Sequence, residues 1–280
     1  MSLIRVQVTA PVQLTHTWYV DESPTDAGAV TVAVKRLDGT PIAGSPFATS
    51  SPSTGVNVFT LPSLPDVDTL TADWTGSLGT ARDYVELVGG FLFSLVEARQ
   101  GPPPIPSTFT PARLAAKRTE VEVECELITK VALVPRFKRY TLSGNGTPRL
   151  LTPDCALRRL RAVSVAGTAW STDAVDAVEV IDSGVLIRPG GTAWPCGNSN
   201  IVIEIEHGLD FVPPTIPTAA KGRLRTLLEP GNTGVPSNAL SYSTPDGGSY
   251  RLSIPNIERT GVPWIDAIYQ RSRQELGGFA

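Results

Sequence analysis

The sharpest hydrophobic pattern in the chain lies between residues 200 and 229. Ile201, Ile203 and Ile205 alternate with Val202, Glu204 and Glu206, which predicts a strand with one wholly apolar face and one that turns acidic. His207-Gly208-Leu209-Asp210 breaks the strand. Pro213 and Pro214 forbid further pairing and suit the first turn of a helix. Leu224, Leu227 and Leu228 then form a short apolar stripe, with Lys221, Arg223 and Arg225 around it. The segment reads as a strand, a turn and a helix.

Period-two alternation dominates residues 1–90. It runs through Ile4-Arg5-Val6-Gln7-Val8, then Gln13 to Val20 with Leu14, His16, Trp18 and Val20 on one face, then Val30 to Lys35. Asp38-Gly39 after that run is a strong hairpin signal. Segments 56–59, 69–74 and 84–88 bring the total to about seven short strands, a spacing that predicts an immunoglobulin-like sandwich with Trp18 and Trp74 as core anchors.

The pattern then changes. Residues 91–99 read as a strand end and one helical turn, and the proline run from Gly101 to Pro106 as a stiff linker. Thr110 is placed to cap a helix with Pro111 at its first position, and Leu114, Val121, Cys125 and Ile128 fall on one face. Glu120, Glu122, Glu124 and Glu126 alternate as a strand would; the cap favours a helix. Strands are expected over 134–142 and 157–165, with a hairpin around Asp182-Ser183-Gly184. A second pair of strands flanks Asp246-Gly247-Gly248, and a last helix runs from Val262 to about Gln274.

Several of these elements carry a resemblance. The strand ending in His207-Gly208-Leu209-Asp210, the proline pair and the following helix resemble the head-to-tail adaptor (connector) proteins of long-tailed bacteriophages, especially those of actinobacterial phages. So do Val134-Pro135-Arg136, Gly144-Asn145-Gly146, Leu150-Leu151-Thr152-Pro153 and Ala166-Gly167 upstream. Downstream come Asp246 to Leu252, then Thr260-Gly261-Val262-Pro263-Trp264-Ile265-Asp266-Ala267. Trp264 stands where the family has an acidic residue. The match spans residues 91–280. It implies a virion structural protein without catalytic activity or cofactor, made in the host cytoplasm and placed in the neck between capsid and tail. It implies a ring of copies, a dodecamer, that joins the portal to the next connector or tail component and continues the DNA channel. A closed ring needs head-to-tail contacts between copies. The helices from Thr110 to Lys130 and from Pro213 to Leu228 would form the ring body. The terminal segment would reach the portal or another partner through Arg271, Arg273, Leu276 and Phe279. The sandwich would lie outside the ring.

The fold class expected is therefore mixed and β-rich: an N-terminal immunoglobulin-like β-sandwich, then an α+β connector domain with a helical ring-forming part. At 280 residues the chain has room for two domains. Residues 1–90 hold four Lys/Arg against nine Asp/Glu, and the remainder twenty against eighteen, so the balance shifts at Gly89-Gly90. The divisions expected are a sandwich over 1–90, a linker over 91–107 and an adaptor domain over 108–280. No run of eighteen apolar residues suggests a membrane span, and the N-terminus lacks a signal-peptide core. Three isolated cysteines, Cys125, Cys155 and Cys196, argue against a disulfide framework.

Candidate chemistry is sparse. With His16 and His207 the only histidines and no cysteine near another, no metal site is expected. His207 beside Asp210 could be half of an acid–base pair, but His-Gly is good turn chemistry, and a turn histidine bonded to local backbone is the expected state. No nucleophile elbow or phosphate-cradling loop occurs. The basic segment holds Arg136, Lys138, Arg139, Arg158, Arg159 and Arg161 against one acid, Asp154. It reads as a non-specific DNA-attracting surface, as a solvated strand face, or as a surface that pairs with an acidic neighbouring subunit. A different class of function, a carbohydrate- or cell-surface-binding β-protein, predicts exposed tryptophans in residues 1–90. A hydrolase predicts a cleft with perturbed carboxylates.

Overall fold

The computed structural model describes residues 3–9, 11–101, 104–181, 183–228, 239–243, 249–252, 256 and 258–276, with backbone alone for 239–243, 249–252 and 274–276. The first part of the chain holds ten strands: β1 (Leu3–Gln7), β2 (Val12–Thr17), β3 (Tyr19–Val20), β4 (Ser23–Pro24), β5 (Thr31–Arg36), β6 (Phe47–Ala48), β7 (Ser50–Ser53), β8 (Val56–Leu61), β9 (Asp68–Gly76) and β10 (Gly79–Val88). One sheet has the order β1-β10-β9-β5-β6 and faces another of order β2-β8-β7. All pairs are antiparallel except β1 with β10.

The alternating positions meet between the sheets. Leu14, Phe59 and Leu61 from one pack with Val32, Val34, Leu70, Ala72, Trp74, Val85 and Leu87 from the other. Trp74 donates its indole N–H to Asp83 at 3.1 Å. His16 reaches across from β2, its Nδ1 3.4 Å from Asp83 and its ring stacked on Trp74 at 5.6 Å. This polar and aromatic pin connects the two sheets where no cysteine pair does. The strand from Gln13 to Val20 stops early: β2 ends at Thr17, and Val20 is exposed in the small β3–β4 hairpin. Asp38-Gly39 makes the expected turn, with Asp38 accepting from the Thr40 N–H and Gly39 at φ +90°.

Two helices follow, α1 (Leu95–Gln100) and α2 (Pro111–Thr129). Ser94 and Glu97 cap α1 reciprocally. Thr110 caps α2 and Pro111 opens it, as the pattern predicts. Pro102 and Pro103 of the expected linker lie outside the described residues.

The next strands are β11 (Arg136–Gly144), β12 (Arg149–Leu151), β13 (Leu157–Val165) and β14 (Thr168–Ala169). After the short α3 (Thr172–Asp176) come β15 (Glu179–Ile181), β16 (Val185–Ile187) and β17 (Gly197–His207). The segment picked out first in the sequence, β17, is central in a sheet of order β11-β17-β13-β14. A second small sheet runs β12-β16-β15; Asp182 in its turn lies outside the described residues. Ile201, Ile203 and Ile205 are fully buried against Leu157, Leu160, Val163, Leu186 and Trp194. In β13 the pattern Leu-Arg-Arg-Leu-Arg-Ala-Val keeps its leucines inside because the register slips twice against β17, between Leu157 and Arg159 and between Leu160 and Ala162.

The chain then enters α4 (Thr215–Leu228), the hairpin β18 (Ala239–Ser243) and β19 (Ser249–Leu252), and α5 (Pro263–Leu276). The Asp246-Gly247-Gly248 turn lies outside the described residues. Helices α2, α4 and α5 contact one another and enclose a core that includes Leu114, Val121, Cys125, Ile128, Ile216, Leu224, Ile265 and Tyr269. The Thr260-Gly261-Val262-Pro263 turn is held by Asp266 in the first turn of α5. Its carboxylate accepts from the Thr260 N–H and hydroxyl at 2.7 Å each and from the Gly261 N–H at 3.2 Å. Among the described residues, what Trp264 is shown to meet is a helix glycine. Its indole lies over Gly222 of α4, where a Cβ would come within 2.4 Å of the ring.

Candidate functional site

The four alternating glutamates of α2 explain how the chain is joined. Residues two apart lie on opposite sides of a helix, and residues four apart share a side. Glu124 therefore turns to α4, where Arg223 grips it with two hydrogen bonds of 2.7 and 2.8 Å. Glu122 and Glu126 turn the other way, toward the sandwich. Arg5 of β1 meets Glu126 at 3.2 Å, Glu86 of β10 at 2.7 Å and Glu122 at 3.5 Å. Arg136, the first residue of β11, also bonds Glu126 and lies 3.3 Å from Glu86. Two arginines and three glutamates thus connect the sandwich, α2 and the central sheet.

The cluster is largely buried. The Arg5 side chain is 2% exposed. Burial alone would weaken its proton affinity, but Glu126, Glu86 and Glu122 outweigh it and raise its pKa. Burial raises the carboxyls of Glu122 and Glu126, against the pull of the arginines. Glu122 also accepts from the Leu92 N–H at 2.9 Å. Four residues before it on α2, Arg118 lies over the Phe91 ring at 3.3 Å from its centroid.

Beside this cluster runs a groove of about 410 Å³. Its apolar lining includes Leu3, Leu127 and Phe137, and its polar lining includes Lys130, Lys138 and His207. Histidine 207 differs from its expected state. It does not bond local backbone and does not pair with Asp210, which binds Arg158 instead. It is the last residue of the central strand, 2% exposed, with Asp154 as its nearest acid at 3.8 Å. Burial above all pushes its pKa down from 6.5 to about 4.

The basic segment is not one open cationic face. Arg136 is 8% exposed and belongs to the buried cluster, a correction to its expected surface position. Lys138 pairs with Asp154 at 3.2 Å and Arg139 with Glu204 at 3.0 Å. Arg161 meets Glu206 at 3.6 Å and donates to the Val67 carbonyl in the sandwich at 2.6 Å. Among the described residues only Arg159 of the six is exposed without a partner. Asp154 lies within the segment, but the other acidic partners come from β10, α2, β17 and the loop that holds Asp210, so charge counting within the segment could not find them.

In the last helix Arg271 is exposed and Arg273 lies 3.4 Å from Glu258. Phe279 lies outside the described residues, as does the side chain of Leu276. Cys125 is buried and burial drives its thiol pKa up, while Cys196 is exposed. Among the described residues no group of three or more His, Cys, Asp or Glu side chains is placed to hold a metal ion, and no helix is long and apolar enough to cross a membrane. Sequence reading missed Phe211. It stands 74% exposed between Asp210 and Val212, in a loop braced by the Arg158–Asp210 pair and by the Leu209 N–H on the Ala132 carbonyl.

No protein-family model matches the chain, and no curated protein matches it. Among solved structures it is similar to a chain from the neck of an empty GTA particle computed with C6 symmetry. That match has a TM-score of 0.41 and 13% identity, covering 52% of this chain and 83% of the other. A chain from the neck of a native GTA particle computed with C12 symmetry matches at TM-score 0.38 and 14% identity, with coverage of 51% and 81%. A 3Ig structure of titin domains matches at TM-score 0.21 and 12% identity, with coverage of 75% and 53%. At these scores the likenesses transfer no function to this chain.

Proposed function

We propose that this chain is a structural component of a tailed-phage-type virion, forming a ring that joins the capsid portal to the tail and continues the DNA channel. One observation carries the reading. The two motifs that resemble the adaptor family, the strand–HGLD–helix unit and the TGVP–helix unit, fold onto each other. Helix α4 of the first lies against α5 of the second, with Trp264 over Gly222, and both rest on α2. Motifs separated by some fifty residues thus share a single helical core with α2.

In this reading α2 and α4 form the ring body, and Phe211, Trp264 and Leu127 are the apolar residues offered to neighbouring copies or to the portal. Large exposed apolar side chains on a rigid frame are what such contacts use. Arg271, Arg273, Leu276 and Phe279 belong to the segment that reaches a partner. Residues 1–90 are an immunoglobulin-like module, a reading supported by the two-sheet strand order, with 91–107 as linker and 108–280 as the adaptor domain. The paired state of the basic segment supports only weak, non-specific contact with DNA.

The carbohydrate-binding alternative lacks its platform, because Trp18 and Trp74 are both buried. The test is co-sedimentation of the full chain with the portal of the same particle. Stable comigration supports the adaptor reading. Portal and chain that sediment separately, with the chain a monomer at every concentration, contradict it.

A further inference from the structure

We propose that His207 is an acid sensor at the joint between the sandwich and the central sheet, and that its protonation loosens that joint. The proposal does not depend on the adaptor reading. It starts from three buried polar atoms without partners among the described residues: Nδ1 and Nε2 of His207 and Nε of Arg136. The two residues are opposite each other where β17 pairs with β11. A neutral imidazole has one donor and one acceptor, and here neither is used.

The surroundings make a second proton costly. From the loop before β13, Asp154 lies 3.8 Å from Nδ1, beyond hydrogen-bond reach, and is already engaged by the Tyr140 hydroxyl and by Lys138. From β11 come two cations, Arg136 and Lys138. From β10 comes Glu86, already shared by Arg5 and Arg136. An imidazolium would be a third cation among carboxylates that are committed elsewhere, on a side chain only 2% exposed.

The position couples that charge to the joint. His207 lines the same groove as Arg5, Glu86, Glu126 and Arg136. The next residue, Gly208, has φ +115°, and a Cβ there would come within 2.2 Å of the Val134 carbonyl oxygen. Val134 leads into Pro135, whose carbonyl accepts from the Gly89 N–H of the sandwich at 2.8 Å. Any outward shift of His207 therefore presses on the segment where sandwich, α2 and β11 meet.

The sign follows from burial. The folded pKa of about 4 lies below the ordinary 6.5, so the folded state binds fewer protons between those values. Stability is present above the ordinary pKa and is lost as pH falls toward 4. Through this one group the folded-to-open ratio falls about thirtyfold between pH 7.5 and pH 5.

The test uses the full chain and its two histidines. Imidazole NMR signals are followed from pH 8 to pH 4, with His16→Gln identifying His207 by elimination, alongside amide exchange corrected for intrinsic rates. Expected is a His207 signal that stays neutral to below pH 5, with protection at 134–138, 204–208 and 84–89 falling reversibly as pH drops below about 6.5 and levelling off as the folded-state His207 takes up its proton. His207→Gln should keep protection down to the pH where carboxylates titrate. A His207 that titrates at 6.5 or above overturns the proposal, and so does an unchanged acid response in His207→Gln. If that variant does not fold, the wild-type titration and exchange decide alone.

Discussion

Arg5 shows how far a single side chain can depart from its pattern. It occupies a polar position in an alternating strand, where alternation predicts solvent. Instead, both faces of β1 are covered, Val6 by the sandwich core and Arg5 by α2. Replacing Arg5 with alanine leaves Glu86, Glu122 and Glu126 with less than their share of positive charge in a largely buried site. The expected loss is about 3–5 kcal/mol in denaturant unfolding; a loss under about 1 kcal/mol would show that the cluster relaxes into water. The cysteines provide a second check. Cys196 is expected to react with a thiol reagent in the native protein, and Cys125 only when the helical layer opens. Equal rates for the two would contradict its burial. Apolar residues such as Trp74 and the three isoleucines of β17 were legible because burial follows periodicity. Arg5, Arg136 and His207 were not, because their partners come from strands and a helix remote in sequence.

At the scale of elements, caps and breakers carried most of the legible information. Thr110-Pro111 and Pro213-Pro214 announce helix starts, and the structure adds a Ser94–Glu97 capping box at α1. Gly222 was not: inside a helix it costs about 1 kcal/mol relative to alanine. The structure supplies the reason, since the Trp264 indole occupies the place of its side chain. A double-mutant cycle tests this. Gly222→Ala alone is expected to destabilise by about 1–3 kcal/mol through overpacking. In a Trp264→Ala background the same change should stabilise by up to about 1 kcal/mol, the ordinary helix preference. Additive effects would mean that the two residues do not touch. The twice-shifted register of β13 was also hidden, because a bulge changes which residues face inward without changing composition.

At the scale of the molecule, the chain is β-rich, with α1, α2, α4 and α5 sharing one core and a sandwich joined to it by buried charge. The order of motifs along the chain suggested a shared unit, but its contacts became visible only when α4 and α5 met. Phe211 belongs to this scale because nothing within the described residues needs its exposure. Phe211→Ala is expected to change chain stability by less than about 0.5 kcal/mol while weakening association between copies, read by sedimentation at several concentrations. A large fall in stability would instead make it a packing residue. The proposed ring-forming role is tested by negative-stain microscopy of the full chain mixed with the portal of the same particle, beside the chain alone. The expected image is a ring of copies capping the narrow end of the portal. A portal that stays bare under virion-like conditions would contradict it.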